Sequence, residues 1–277
     1  GTTGTHTYLS TFRNYTRTVE QWTTGGGWLR TRTQNTLTTE IVGLKDFYTH
    51  SLDADQPIGI SFAGGATNPQ INIHSVGNLL VQGNIDNLPI GTTNLTSTAG
   101  NVTVAGSSAI FGASPTVTAD GNVRIVIKGD MGPLNVTAGG DIRVDVIGET
   151  GPASLSVGTI TTTDGDVFLN APDGVQSEDA NSSIAGNLVQ ILAINSAVGS
   201  TSQPLSVDSD LLETGGLAIR AKGNIFVTEI DGDLKLAQPT EWVNPLASIE
   251  STNSGAITLR TTDGSIVDAW FDQFQAP

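Results

Sequence analysis

The chain has 277 residues, and its 12 basic and 27 acidic side chains give a formal net charge of -15. This balance argues against nucleic acid as a partner, because phosphate binding requires clustered lysines and arginines. The chain has no cysteine, which excludes disulfides, thiol nucleophiles and zinc-thiolate sites, and it has no apolar run long enough to span a bilayer. With its single methionine, it is consistent with a bacterial extracellular protein.

Residues 1–50 differ from the rest of the chain, because they hold five of its twelve basic residues. Within them, two threonine-rich alternating runs flank the glycines at 25–27, with Trp22 before this turn and Trp28 after it. The pattern predicts a protruding β-hairpin whose two indoles pair across the strands. This hairpin is either a cap on the end of the following fold or an arm that docks on a neighbouring module or a ligand.

A distinctive motif follows, with KDFYTHSLDADQPIGISFAGG at 45–65 and INIHSVGNLLVQGNI at 71–85. Its ADxPIxIxFxG element consists of Ala54, Asp55, Pro57, Ile58, Ile60, Phe62 and Gly64. Residues 45–85 resemble the recurrent segment of large bacterial filamentous adhesins of the filamentous haemagglutinin and leukotoxin-like type. The resemblance implies a secreted, surface-displayed and elongated protein, built from β-helix segments with protruding hairpins.

From residue 77 onward, a glycine followed by Asn or Asp and then by an aliphatic residue recurs along the chain. Six instances, at steps of 23, 21, 19, 25 and 21 residues, begin at Gly77, Gly100, Gly121, Gly140, Gly165 and Gly186. Each precedes an alternating apolar run, and most of them follow a shorter one. A period of roughly 20 to 25 residues is typical of a solenoid. We predict an all-β chain with a right-handed parallel β-helix over residues 51–269, whose corner glycines have positive φ angles.

Other β folds fit parts of this pattern less well. An immunoglobulin-like sandwich has antiparallel hairpins, which would not require the same corner dipeptide before the same strand in each unit. A calcium-binding nonapeptide roll needs denser glycine and aspartate repeats than this chain has. The threonines at 159–163 suggest an ice-binding array, but we expect Arg124, Arg143 and Asp145 to align with them, which argues against it.

The candidate site residues are acidic. Asp208, Asp210 and Glu213 lie in LSVDSDLLETGG and predict a calcium site, because alternate residues of a strand project their carboxylates to the same side. The pairs at 164/166 and 231/233 straddle corner glycines, and we interpret them as turn residues. No Ser, His and Asp spacing matches a nucleophilic motif. We therefore predict no catalytic residue, no enzymatic activity and no cofactor other than calcium.

The chain ends in WFDQFQAP at 270–277, an aromatic tail that follows the last repeat. We expect this tail to meet the hairpin of a neighbouring module, through an interface that consists of Trp22, Trp28, Trp270, Phe271 and Phe274. The predicted function is that of a structural, adhesive module of a fibre at the bacterial cell surface. Its partners would be neighbouring copies or modules and host or biofilm glycans. The alternative is a polysaccharide-binding or polysaccharide-cleaving β-helix protein.

Overall fold

The computed structural model describes residues 4–7, 15–23, 31–39, 60–61, 69–87, 91–104, 109–112, 114–128, 132–148, 153–242 and 247–269. Side chains are described from residue 60 onward, except at 111–112. All of the secondary structure in these residues is β-strand, in three sheets.

Sheet A is the amino-terminal sheet, and it consists of β1 (Gly4–Thr7), β2 (Tyr15–Thr23) and β3 (Thr31–Thr39). Strands β2 and β3 pair antiparallel, with Tyr15 opposite Thr39 and Trp22 opposite Arg32. Strand β1 pairs antiparallel with the other side of β2. The protruding β-hairpin that the sequence predicts here, and its role as a cap or an arm, stay predictions.

Sheets B and C form the solenoid and share one long axis. The strands of sheet B are β4 (Ile60–Ser61), β6 (Leu79–Val81), β7 (Ile85–Asn87), β9 (Val102–Val104), β10 (Ile110–Gly112), β12 (Val123–Lys128), β14 (Ile142–Ile147), β16 (Val167–Asn170), β19 (Leu188–Ala193), β21 (Gly216–Ala221), β23 (Leu234–Leu236), β24 (Ile249–Ser251) and β26 (Ile266–Asp268). The strands of sheet C are β5 (Gln70–Ser75), β8 (Thr92–Ser97), β11 (Pro115–Ala119), β13 (Leu134–Ala138), β15 (Leu155–Thr162), β17 (Val175–Ser177), β18 (Ser183–Ala185), β20 (Leu205–Asp208), β22 (Ile225–Glu229) and β25 (Ile257–Thr261).

Every pairing within sheets B and C is parallel, and each strand pairs with its equivalent in the next coil. The predicted parallel β-solenoid is therefore confirmed, and the immunoglobulin-like sandwich is wrong because its neighbouring strands would be antiparallel. The core is a set of aliphatic columns, in which Val123, Ile142, Val167 and Val189 stack in register and are at most 1 % exposed. The right-handed sense of the coil stays a prediction.

The corners between sheet C and sheet B explain the Gly-Asn and Gly-Asp repeat. At four successive corners, the Oδ1 atom of the corner Asn or Asp accepts a hydrogen bond from the main-chain N–H of the equivalent residue one coil later. The donor-acceptor distances are 2.9 Å from Asn101 to Asn78, 2.7 Å from Asn122 to Asn101, 2.8 Å from Asp141 to Asn122 and 3.0 Å from Asp166 to Asp141. The corner residue thus joins successive coils as a side-chain ladder, which we call the corner ladder.

The predicted positive φ angle at the corner glycines is wrong for the six regularly spaced instances, since none of them has one. At Gly100, Gly121 and Gly140, glycine is required for space instead, because an added Cβ atom would meet the Oδ1 atom of the preceding corner Asn. A Cβ atom on Gly100 would lie 2.5 Å from Asn78 Oδ1, and one on Gly121 would collide with Asn101 Oδ1. The glycine therefore makes room for the ladder side chain of the preceding coil.

A segment after β23, residues 237–242, crosses the outer face of sheet B. Gln190 Oε1 accepts hydrogen bonds from the main-chain N–H groups of Thr240 at 2.7 Å and Glu241 at 3.2 Å, and Gln190 Nε2 donates to Thr240 Oγ1 at 2.9 Å. Arg143 Nη1 donates to Glu241 Oε2 at 2.6 Å, and its guanidinium lies 4.4 Å from the centre of the Phe168 ring. This crossing segment buries Gln190 on an otherwise outward-facing surface.

Candidate functional site: an acidic cluster between two coils

The acidic cluster lies where strands β20 and β22 of sheet C end. Asp208 is the last residue of β20, and Ser209 and Asp210 follow it at the corner. Glu229 is the last residue of β22 in the next coil, where it pairs with Val207. One carboxylate oxygen from each of Asp208, Asp210 and Glu229 lies within 4.8 Å of the other two.

Glu229 occupies an inward-facing column that is aliphatic in the coils that precede it. The corresponding side chains, all at most 1 % exposed, are Leu95, Val117, Val136, Ile160, Ile184 and Val207. Glu229 is itself 0 % exposed. A carboxyl group in such a column requires hydrogen-bond partners, because an unpaired buried polar group is costly.

Ser209 supplies both of these partners. Its main-chain N–H donates to Glu229 Oε1 at 2.8 Å, and its hydroxyl pairs with Glu229 Oε2 at 2.7 Å. Ser209 is also 0 % exposed, so the Ser209–Glu229 pair is sealed from solvent. Asp208 and Asp210, on either side of Ser209, are partly exposed.

The pKa of Glu229 is raised to about 7, chiefly by burial and also by the nearby charges of Asp208 and Asp210, against the opposing effect of the Ser209 hydrogen bonds. The pKa of Asp208 is also raised, chiefly by burial and then by the charges of Asp231 and Asp210. The cluster is therefore an arrangement in which a proton or a cation relieves repulsion between carboxylates.

Lys235 is the cation that contacts this cluster in the structure. Its Nζ lies 2.9 Å from Asp210 Oδ2 and donates to the main-chain carbonyl of Glu213 at 2.9 Å. Of the three predicted calcium ligands, the structure brings Asp208 and Asp210 together, whereas Glu213 takes part through its carbonyl contact with Lys235. Glu229 supplies the third clustered carboxylate.

Sequence reasoning missed Glu229 because it lies one coil away from Asp210. The signal was present in IFVTE, where Ile225 and Val227 face inward and the same alternation turns Glu229 inward. In each acidic pair that we interpreted as turn residues, the second aspartate also joins its coil to the next one. Asp166 Oδ1 accepts a hydrogen bond from Leu188 N–H at 3.1 Å, and Asp233 Oδ1 accepts one from Ser265 N–H at 2.7 Å.

The residues of the predicted aromatic interface lie outside the described side chains. Trp22 lies in β2, where only the backbone is described. The other four residues of this interface lie outside the described residues, and they are Trp28, Trp270, Phe271 and Phe274. Calcium as a ligand and these residues as an interface both stay predictions.

Comparison with known proteins finds no family model, no curated protein and no solved structure that matches the chain. Among the described residues, no helix has the length and apolar character needed to cross a membrane.

Proposed function

We propose that the chain is a structural and adhesive module of a secreted fibre at the bacterial cell surface, without enzymatic activity. In-register columns of buried side chains and parallel pairing along one axis support this function, since each coil contacts only its neighbours and the stack resists bending as a rod. The sequence resemblance of residues 45–85 to filamentous adhesins supports the extracellular location.

The observation that carries the proposal is the coil of β25 and β26, which we call the open coil because no further coil is described above it. Ile257 in β25 stacks on Ile225, and Ile266 in β26 stacks on Leu234. The side chains of Ile225 and Leu234 are 0 % exposed. Ile257, in contrast, is 46 % exposed and Ile266 is 50 % exposed. These isoleucines occupy core columns without a further described coil above them. A neighbouring module that stacks on this end would bury them and pair the edges of both sheets.

The proposed partners at this end are neighbouring copies or modules of the same fibre. The tail at 270–277 follows the open coil in the sequence, and the predicted hairpin with Trp22 and Trp28 precedes the solenoid. Tail-to-hairpin contact would therefore join modules head to tail. Because one end of the module contacts the opposite end of the next, repetition of the contact gives an open fibre.

The geometry of the acidic cluster supports a role without catalysis. Glu229 is the group with a pKa near neutrality, as a general acid requires, but it is 0 % exposed and its oxygens already contact Ser209. A polysaccharide-cleaving site would need such a carboxyl group within reach of a glycosidic oxygen.

The test is negative-stain imaging of the native material together with the mass of the intact polypeptide. Filaments that repeat at the length of one module are expected. A chain that lacks residues 270–277 should show weaker self-association by light scattering, and a variant with Trp270, Phe271 and Phe274 changed to alanine should match it. Discrete monomers at all concentrations, or unchanged association of both variants, would contradict the fibre.

A further inference from the structure

The outer face of sheet C carries a row of threonines in register, which the sequence alone did not show. Thr96, Thr118, Thr137 and Thr161 pair with one another in successive coils, and His74 precedes them in the same row. The expected alignment of the Thr159 region with Arg124, Arg143 and Asp145 is wrong, because those residues lie on sheet B.

A second row runs beside the first, two residues earlier along each strand. It consists of Asn72, Asn94, Thr116 and Asn135, which are again in register. Asn94 Nδ2 donates to Asn72 Oδ1 at 2.7 Å, so the amides of neighbouring coils orient each other. We call the two rows together the polar face.

The polar face is accessible and lacks permanent charge. Thr116, Thr118 and Thr137 are exposed, and Asn94 and Thr96 are partly exposed. Apart from His74, the two rows contain no ionisable side chain, although the chain has a net charge of -15. Charged side chains at the same level of the solenoid lie on the outer face of sheet B, such as Arg124 and Asp145. An uncharged partner fits the polar face, because it avoids the repulsion that an anionic polymer would meet from this acidic chain.

The spacing of the polar face indicates a linear partner. Equivalent side chains of successive coils lie about 4.8 Å apart along the axis, and the two rows lie about 7 Å apart across it. Each of the four coils from β5 to β13 thus offers one pair of polar side chains that can donate and accept hydrogen bonds. Two of the amide oxygens, Asn72 Oδ1 and Asn135 Oδ1, already accept from Asn94 Nδ2 and from the Thr159 N–H. Successive residues of an extended β-linked glycan advance by a length similar to the coil spacing, so that one sugar residue matches one coil.

We propose that the polar face binds an uncharged, extended β-linked polysaccharide whose chain lies along the solenoid axis. This proposal rests on the proposed function, because it names the polymer that the adhesive module binds. A single module is enough for this binding. The mixture of Asn and Thr within one row favours a glycan over ice. A crystal plane of ice repeats one pattern at each lattice point and would require one residue type in each row, whereas a glycan presents several kinds of oxygen.

The experiment measures co-sedimentation of the full chain with microcrystalline cellulose and with chitin, and calorimetric titration with a soluble mixed-linkage β-glucan. The test variant is Thr118→Lys/Thr137→Lys. Its matched control is Thr103→Lys, which places the same side chain outward on sheet B, where Thr103 pairs with Arg124. A further variant, Thr118→Val/Thr137→Val, removes the two hydroxyls without adding charge. Thermal unfolding of all four proteins shows whether each is folded.

Binding to at least one of the three glycans is expected, with affinity unchanged between low and high salt because the face is uncharged. The lysine variant should lose about tenfold or more in affinity and the valine variant somewhat less, whereas the Thr103→Lys control should bind like the unmodified chain. Equal binding by all four proteins, or no binding of the unmodified chain, would overturn the proposal. Partition into growing ice that only the Thr118 and Thr137 variants lose would overturn it in favour of an ordered-water face. Glycan binding is measured on dispersed protein, so the result does not depend on whether the protein forms filaments.

Discussion

At the scale of single residues, Glu229 couples the folding of the chain to pH. The folded chain keeps a proton on Glu229 up to about pH 7, whereas the unfolded chain releases it near the ordinary value of 4.5. The stability that protonated Glu229 contributes is therefore fully present below about pH 4.5 and is lost as the pH rises through 7. The difference corresponds to on the order of 3 kcal/mol.

We expect Glu229→Gln to remove most of this pH dependence and to stabilise the fold above pH 7. A neutral amide can accept from the Ser209 N–H and donate to the Ser209 hydroxyl, without the cost of a buried charge. Urea unfolding across the range from pH 4.5 to above 7 measures the effect. The control is Glu178→Gln at an exposed glutamate, which should unfold like the parent chain. An equal fall in stability between pH 4.5 and 7 in Glu229→Gln and in the parent would refute this assignment.

The sequence contains part of this site but not its assembly. Asp208 and Asp210 are two residues apart, so strand geometry alone predicts that their carboxylates share a side. The place of Glu229 depends on which residue of the next coil pairs with Val207, and the coils here differ in length because the corners and loops do. Without that register, the sequence does not show that Ser209 contacts Glu229, which is 20 residues away.

At the scale of the strand and corner, the Gly-Asn unit is a coil-joining element rather than a simple turn. The repeat predicted the parallel solenoid because its period reflects one coil. It could not reveal why glycine is needed, since a positive φ angle and a close approach of two coils both select glycine. The crossing segment at 237–242 was also hidden, because Gln190 contacts it across fifty residues and no repeat marks it.

A substitution at one corner tests this account. Gly121→Ala should destabilise the fold by about 1–3 kcal/mol, because the new methyl group displaces the Asn101 side chain and weakens the corner ladder. Gly77→Ala is the matched control, since a Cβ atom there has no neighbour within 4 Å and should change stability little. The midpoints of urea unfolding of the Gly121→Ala and Gly77→Ala variants measure the difference.

The second variant Asn101→Ala separates crowding from hydrogen bonding. Combined with Gly121→Ala, it removes the atom with which the methyl group collides, so the two changes together should cost less than the sum of their separate effects. Additive effects, or a Gly77→Ala variant as unstable as Gly121→Ala, would show that the glycine serves another purpose.

At the scale of the whole molecule, apolar stacking at the open coil opposes the repulsion between chains that each have a net charge of -15. Salt screens that repulsion and leaves the burial of Ile257 and Ile266 intact. Self-association of the full chain should therefore strengthen as salt rises, which analytical ultracentrifugation can follow.

The double variant Ile257→Asp/Ile266→Asp should weaken association by about tenfold or more, because each isoleucine is half exposed and its burial is worth about 1 kcal/mol, while each aspartate adds charge that must be desolvated. Ile147→Asp is the control, since Ile147 is 42 % exposed but lies at the end of β14 in the middle of the solenoid. If the control weakens association as much as the double variant, or if salt dissociates the assemblies, then charge on the flanks rather than the apolar end coil governs assembly, and modules would meet side by side instead of end to end.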